Sequence, residues 1–292
     1  MHKAKLCLGT VQLGMKYGVN NAIGRQPTVE ESFSLLQAAK SAGIVTFDTA
    51  SAYGSAEDIL GRFSQNASDD LRFISKLKPE CGDNETAVLE EIRNSLQRLK
   101  VKQLTGYLLH RASDLPRNGI MVGMLEAKRR GLTKMIGIST YEPEEAMLAA
   151  GDERIDCIQV PYNVLDKRLD QAGFFELAKR NHKEIYARSA LLQGLLLMEP
   201  QKAEQRVNGS GKFIKEFQQI AEQHHFTPVE AAFLYCVNHP GIDYVVFGVD
   251  TIEQLAANIT IYNRFDRFEA CFNELSRHFE QIPKRIIMPN LW

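Results

Sequence analysis

Eight short apolar runs, each followed by an amphipathic segment, recur from one end of this 292-residue chain to the other. No other feature restricts the fold as strongly. The runs are Lys5–Leu8, Ile44–Phe47, Leu71–Ser75, Leu104–Leu109, Lys134–Ile138, Ile155–Val160, Glu184–Ala187 and Tyr244–Phe247. Most are continuously apolar rather than alternating, as parallel strands covered on both faces must be. The segments between them predict helices over Glu30–Ala42, Ser55–Phe63, Glu85–Leu99, Ile120–Arg130, Pro143–Ala150, Asp170–Arg180, Pro228–Asn238, Ile252–Tyr262 and Asp266–Gln281. Several ends carry chemical signals. Thr28-Val-Glu-Glu31 reads as a capping box, its hydroxyl accepting from an early backbone N–H while Glu31 reaches back. Gly43, Gly131 and Gly151 supply left-handed stops.

Alternating β and α with short connections requires right-handed crossovers and a parallel sheet. Eight such units without a break in composition predict a closed (β/α)8 TIM barrel, a single domain over residues 1–292, rather than an open doubly wound sheet. An open sheet is expected to carry a glycine-rich first turn, and Gly9 and Gly14 do not make the GxGxxG pattern. The polar stretch Glu199–Gly211 reads either as a lid or as a disordered insertion.

Charge excludes some partners. With 35 Lys and Arg against 36 Asp and Glu, there is no long-range pull toward nucleic acid or anionic lipid. Five cysteines, odd in number and never spaced as CxxC, argue against a disulfide framework and a structural zinc site, and no metal is expected. The start lacks the apolar core of a signal peptide, and no apolar run approaches the roughly 18 residues of a membrane span. A reducing cytoplasm is the expected compartment. No heptad pattern reports an oligomeric state.

In such barrels the active site forms at the C-terminal strand ends. After the second run come Asp48 and Tyr53, after the third Lys76, after the fourth His110. Each alone has a bland reading: a structural carboxylate, a packing tyrosine, a rim charge, a loop histidine. Together they form a carbonyl-reducing set. A phenol with a pKa of about 10 is a poor proton donor at neutral pH. A neighbouring ammonium lowers that pKa, and a carboxylate keeps the ammonium charged and oriented. Tyr53 is thus expected to be a general acid tuned by Lys76 and Asp48, with His110 orienting a carbonyl oxygen. An acid aimed at a carbonyl, without a nucleophile or metal set, implies reduction by hydride from a cofactor.

The stretches Phe47-Asp-Thr-Ala-Ser-Ala-Tyr-Gly-Ser-Ala-Glu57-Asp-Ile-Leu-Gly61, Ile74-Ser-Lys76, Tyr107-Leu-Leu-His110, Gly137-Ile-Ser-Thr140, Gln159-Val-Pro-Tyr-Asn163 and Phe247-Gly-Val-Asp-Thr-Ile-Glu-Gln-Leu-Ala-Ala-Asn258 resemble the aldo-keto reductase family, in family order across nearly the whole chain. The resemblance implies a TIM barrel that binds a nicotinamide dinucleotide in extended form and reduces a small-molecule aldehyde or ketone. It makes Tyr53 the acid, Lys76 and Asp48 its tuning pair, and His110 the substrate-positioning group. It places Ser139 and Gln159 at the nicotinamide carboxamide. Ser189, Leu191 and Gln193 fall near the pyrophosphate, and Gly248, Gln254 and Asn258 at the adenosine end.

Departures from the family pattern are as informative. Thr140 stands where the family often has Asn. Arg188 aligns where a Tyr commonly stacks on the nicotinamide; its guanidinium could stack, grip the pyrophosphate, or sit in a structural ion pair. Val11 replaces an aromatic position. The first strand begins almost at residue 1, leaving no room for the hairpin that often plugs the barrel bottom. Asp250 lies where many relatives carry a cation for the 2′-phosphate of NADPH, and Phe247–Glu253 contains no Lys or Arg. By resemblance the cofactor is NADPH, yet Asp250 could accept from a free 2′-hydroxyl, which would suit NADH. It could equally cap the following helix with Glu253. Gln12, Tyr17, Tyr141 and Trp292 are the candidate substrate residues, a polar and aromatic mixture suited to a sugar-like carbonyl, although Trp292 is equally readable as a frayed terminus. Two other functions compete: a non-catalytic nicotinamide-sensing barrel, and a sugar-phosphate isomerase or aldolase, for which Arg188–Gly194 is a poor phosphate loop.

Overall fold

The computed structural model describes residues 2–17, 24–65 and 70–292. Eight parallel strands close into a barrel in sequence order: β1 (Lys5–Gly9), β2 (Thr46–Asp48), β3 (Arg72–Lys76), β4 (Leu104–Leu109), β5 (Thr133–Ser139), β6 (Cys157–Pro161), β7 (Glu184–Arg188) and β8 (Tyr244–Phe247). Closure is made by β1 against β8, from Lys5 opposite Tyr244 to Leu8 opposite Phe247. Every apolar run of the sequence contains or overlaps a strand. The barrel is a TIM barrel, as the alternation demands.

Two packed regions result. The larger lies between strands and surrounding helices, and includes Phe47, Phe73, Ile92, Leu109, Ile136, Phe174 and Phe233. The smaller fills the barrel itself with Cys7, Ile74, Leu108, Cys157, Tyr186, Tyr244 and Val246. Tyr186 and Tyr244 are paired across β7 and β8 and stack at 4.7 Å between centroids, 6° from parallel, so the lower barrel is filled by side chains. All five cysteines are buried thiols.

The helices follow the sequence signals with four corrections. Thr28 and Glu31 form the capping box, and a second box joins Thr227 to Glu230. The stretch expected to be one helix over Asp170–Arg180 is two, Arg168–Gln171 and Phe174–Arg180, parted at Gly173 with φ of 69°. Asp266–Gln281 contracts to Glu269–His278 after a 3-10 turn at Phe265–Arg267. Glu199–Gly211 is neither lid-like coil nor a disordered insertion. Pro200–Arg206 is helical, and a further helix, Gly211–Gln223, buries Ile214, Phe217, Ile220 and Ala221. The Glu204 carboxylate joins them, accepting from the backbone N–H groups of Gly209 and Gly211 at 2.7 and 2.9 Å. Gly151 ends inside its helix rather than beyond it, and Asp152 is the cap. No helix among the described residues is long and apolar enough to cross a membrane.

Candidate active site

Asp48, Lys76, Ser139 and Arg188 are the last residues of β2, β3, β5 and β7, and His110 follows β4 directly. Parallel strands in register therefore bring them to one rim: Asp48 lies opposite Ile74, Lys76 opposite Leu108, and Ser139 opposite Gln159. Asp48 is further fixed through its backbone, whose carbonyl accepts from both the N–H and the hydroxyl of Thr10 at 2.9 Å.

Lys76 and Asp48 are almost entirely buried, 1% and 4% exposed. The ammonium donates to Asp48 Oδ1 at 2.7 Å, to Oδ2 at 2.8 Å and to the Thr49 carbonyl at 3.0 Å. Three acceptors for three protons satisfy the charge that burial would otherwise neutralise. Burial pulls the Lys76 pKa down, but Asp48 and Tyr53 outweigh it, and the amine ends above its ordinary value. Gln159 donates from Nε2 to Asp48 Oδ1 at 2.7 Å. The side chain that the resemblance assigns to the nicotinamide carboxamide thus has its donor committed to the Asp48 carboxylate.

Lys76 Nζ lies 5.0 Å from the centroid of the Tyr53 ring, and its charge acts on the Tyr53 hydroxyl. The expected lowering of the phenol pKa does not result. Burial raises it more than Lys76 depresses it, so the Tyr53 phenol stands above its ordinary value. The His110 ring meets Tyr53 edge-on, 6.0 Å between centroids at 82°. Burial, then the charges of Lys76, Arg188 and Arg111, lower the His110 pKa to about 4. The histidine is therefore neutral, and its buried Nδ1 has no protein partner.

The Tyr53 loop is positioned by a contact that motif reading passes over. Gly14 and Gly54 are back to back: a Cβ on Gly14 would lie 1.7 Å from the Tyr53 carbonyl oxygen, and one on Gly54 2.2 Å from that of Gly14. Gly54 also has φ of 54°. Glu57, quoted above only as part of a motif, is a buried anchor below the site, accepting from Ser75 Oγ at 2.5 Å and Arg98 Nε at 2.7 Å.

Arg188 has no carboxylate partner among the described residues, which removes the structural ion pair as its explanation. Its guanidinium carbon lies 4.2 Å from the Tyr141 ring centroid, Nη2 donates to the Thr140 carbonyl at 3.0 Å, and Nη1 approaches Ser189 Oγ at 3.4 Å. After β7 the backbone is strained: Ser189, Leu192 and Gln193 hold φ of 67°, 47° and 53°, ahead of Gly194 at 91°. Such left-handed non-glycine residues cost about 1 kcal/mol or more each and cluster at ligand sites. Leu191 is half-buried in this turn.

The candidate substrate residues separate. Tyr17 and Tyr141 are exposed, 43% and 45%, and Arg188, Tyr141 and Lys76 are the charged or ionisable groups acting on the Tyr17 hydroxyl. Gln12 lies instead against the β8 loop: a Cβ on Gly248 would be 2.2 Å from its Nε2. Trp292 is not frayed; Nε1 donates to the Arg285 carbonyl at 2.8 Å and the ring packs on the core. In the β8 loop, Thr251 rather than Asp250 caps the helix Ile252–Tyr262, accepting from Gln254 N–H, while Gln254 Oε1 accepts from the Asp250 N–H at 2.8 Å. Asn258 is buried on that helix.

The rim can be tested for a nicotinamide dinucleotide by its orphaned polar atoms. Thr140 Oγ1, Gln12 Oε1 and His110 Nδ1 are all buried without a protein partner. They lie after β5, beside the β8 loop and after β4. That distribution suits an elongated polar ligand laid along the mouth. Among the described residues no group of His, Cys, Asp and Glu could hold a metal ion.

The fold is a TIM barrel whose rim gathers Asp48, Lys76, Tyr53 and His110. Sequence comparison places it: a profile of the Aldo/keto reductase family matches residues 5–271, and the chain belongs to that family, whose members are oxidoreductases. Among relatives, the uncharacterized oxidoreductase YqkF of Bacillus subtilis is 24% identical, covering 86% of this chain and 88% of its own. The L-glyceraldehyde 3-phosphate reductase of Escherichia coli K12 is 23% identical, covering 89% and 86%. Among solved structures, a holo-form aldo-keto reductase of Bacillus halodurans superposes with a TM-score of 0.77 at 20% identity, covering 98% of this chain and 96% of that one, which bears on the fold alone.

Proposed function

We propose that this chain, acting as a single barrel domain in the cytoplasm, uses NAD(P)H to reduce an aldehyde or ketone to an alcohol, with Tyr53 as the proton donor. The observation that carries the reading is the Lys76 ammonium, gripped by both Asp48 oxygens and lying beside the Tyr53 ring. A bound dinucleotide supplies hydride to the carbonyl carbon. The chain's own residues do the rest. A phenol above its usual pKa stays protonated at neutral pH, as a donor must. When the proton leaves, the fixed ammonium stabilises the phenolate without reorganising. Neutral His110 donates to the carbonyl oxygen and orients it toward Tyr53. Ser139, Thr140 and Gln159 are the residues we assign to the nicotinamide, with Arg188 beside its ring and Ser189, Leu191 and Gln193 along the pyrophosphate. Gly248, Asp250, Gln254 and Asn258 are assigned to the adenosine end.

Tyr17 and Tyr141 beside this set suit a hydroxylated, sugar-like carbonyl, and the relative named L-glyceraldehyde 3-phosphate reductase makes short sugar aldehydes the first substrates to try. The test is titration with each dinucleotide, then a carbonyl panel followed by loss of reduced-nicotinamide absorbance. Binding of neither dinucleotide would overturn the reading.

A further inference from the structure

We propose that Arg188 selects carbonyl substrates that carry an anionic group, a carboxylate or a phosphate monoester, by gripping that group at the barrel mouth. The proposal deepens the reductase reading and rests on it.

Charge balance leads to it. Around Tyr53 and His110 stand three cations, Lys76, Arg188 and Arg111; Lys76 takes both oxygens of Asp48, and Arg111 faces Asp114 at 3.7 Å. His110 and Tyr53 are neutral. The rim therefore holds one positive charge that no described carboxylate balances, and it belongs to Arg188. A half-buried guanidinium without a counter-charge is costly, and an anionic ligand would offset that cost.

The side chain is also posed for such a ligand. The Tyr141 ring lies against the guanidinium, and one firm bond, to the Thr140 carbonyl, ties it down. A guanidinium has more donors than these contacts use, and its planar fork matches carboxylate and phosphate oxygens in pairs. Its field acts on Tyr53, His110 and Tyr17. Those groups surround the reacting carbonyl, which favours an anion on the substrate over the dinucleotide pyrophosphate as the partner.

The test compares matched substrates: succinic semialdehyde against butanal for carboxylate, and glyceraldehyde 3-phosphate against glyceraldehyde for phosphate. The proposal expects kcat/KM to favour at least one anionic member, and Arg188→Met to cut that preference on the order of tenfold to a hundredfold. The pair that responds identifies the anion. Arg188→Lys, which keeps the charge and loses the fork, is expected to fall between, and it serves should Arg188→Met not fold. Dinucleotide affinity is measured in parallel. Unchanged preferences in both pairs, or a loss confined to dinucleotide affinity, would overturn the proposal. A second readout needs no turnover: succinate and inorganic phosphate, titrated into the protein, are each followed through the His110 ring signal by NMR. An anion held at Arg188 raises the His110 pKa in the wild type and not in Arg188→Met. If no carbonyl is reduced, the reductase reading fails, and the NMR titration still decides whether Arg188 binds anions.

Discussion

Asp48 and Lys76 are joined twice, each carboxylate oxygen within 2.8 Å of Nζ, in a site from which solvent is almost wholly excluded. Removing one partner from such a pair strands a buried charge. Lys76→Met should lower stability by about 3–5 kcal/mol and abolish reduction. The double variant Asp48→Asn with Lys76→Met should recover much of that stability while remaining inactive, because the stranded carboxylate is gone but the ammonium is not restored. Chemical denaturation of Lys76→Met, Asp48→Asn and the double variant provides the measurement. Full additivity would show that the two side chains are not coupled.

The phenolic proton is a separate matter. Tyr53→Phe removes the hydroxyl and leaves the Lys76–Asp48–Gln159 network in place. The expected loss in kcat is about 10²–10⁴, the usual scale for general acid catalysis, with dinucleotide binding retained. Single-turnover rates and fluorescence titration report the two quantities independently. Near-normal turnover would remove Tyr53 from the chemistry.

The pH profile follows from the shifts. Burial holds the Tyr53 phenol above its ordinary value, and His110 titrates at about 4. Reduction should be flat from roughly pH 5 to 9 and fall in alkali as the phenol is lost. An inflection near the ordinary histidine value of about 6.5 would contradict this. Stability has a matching dependence. His110 is held neutral in the folded protein, so the unfolded chain takes up the proton first. This contribution is fully present above about 6.5 and is lost as pH falls to about 4.

Much of this site is legible in the sequence because barrel topology converts linear order into position. A residue ending an apolar run is a rim residue, which is why Asp48, Lys76 and His110 could be assigned before any coordinates. What escaped depends on contacts between distant segments. Gln159 as a donor to Asp48, 111 residues away, has no local signature. Neither has the strain at Ser189, Leu192 and Gln193, since none is a residue that advertises a left-handed backbone. The balance of forces on Tyr53 was also beyond reach, because a list of neighbours names the ammonium but not the depth of burial. The helix over Gly211–Gln223 is obscured for a plainer reason: the glycines and polar residues before it read as loop, although Ile214, Phe217, Ile220 and Ala221 recur at helical spacing.

Cofactor choice is open to a direct measurement. Phe247–Glu253 contains no cation, and Asp250 is held in place by Gln254, which accepts from its backbone N–H. NADH should therefore be used at least comparably with NADPH. Asp250→Arg should shift the ratio of kcat/KM values toward NADPH, on the order of tenfold, through a charge-assisted contact to the 2′-phosphate. Steady-state kinetics with both dinucleotides decide it. An advantage of about a hundredfold for NADPH in the wild type would sink the expectation.

The contact between Gly14 and Gly54 ties catalysis to a pair of residues with no side chains. A methyl group at Gly14 would lie 1.7 Å from the Tyr53 carbonyl oxygen, so the backbone must move, and with it Tyr53. Gly14→Ala should therefore reduce kcat strongly, since a displacement of about 1 Å can cost on the order of a hundredfold. Dinucleotide affinity should fall little, because Ser139 and Gln159 lie on β5 and β6 and Thr140 directly after β5, away from Gly14. Gly43→Ala is the control for lost stability away from the site. Its φ of 83° makes alanine costly through the backbone, a penalty Gly14 does not carry, and its Cβ would meet nothing within 4 Å. It should lose stability and keep its turnover. Equal losses of kcat in the two variants would mean that Gly14 acts through folding alone and does not position Tyr53.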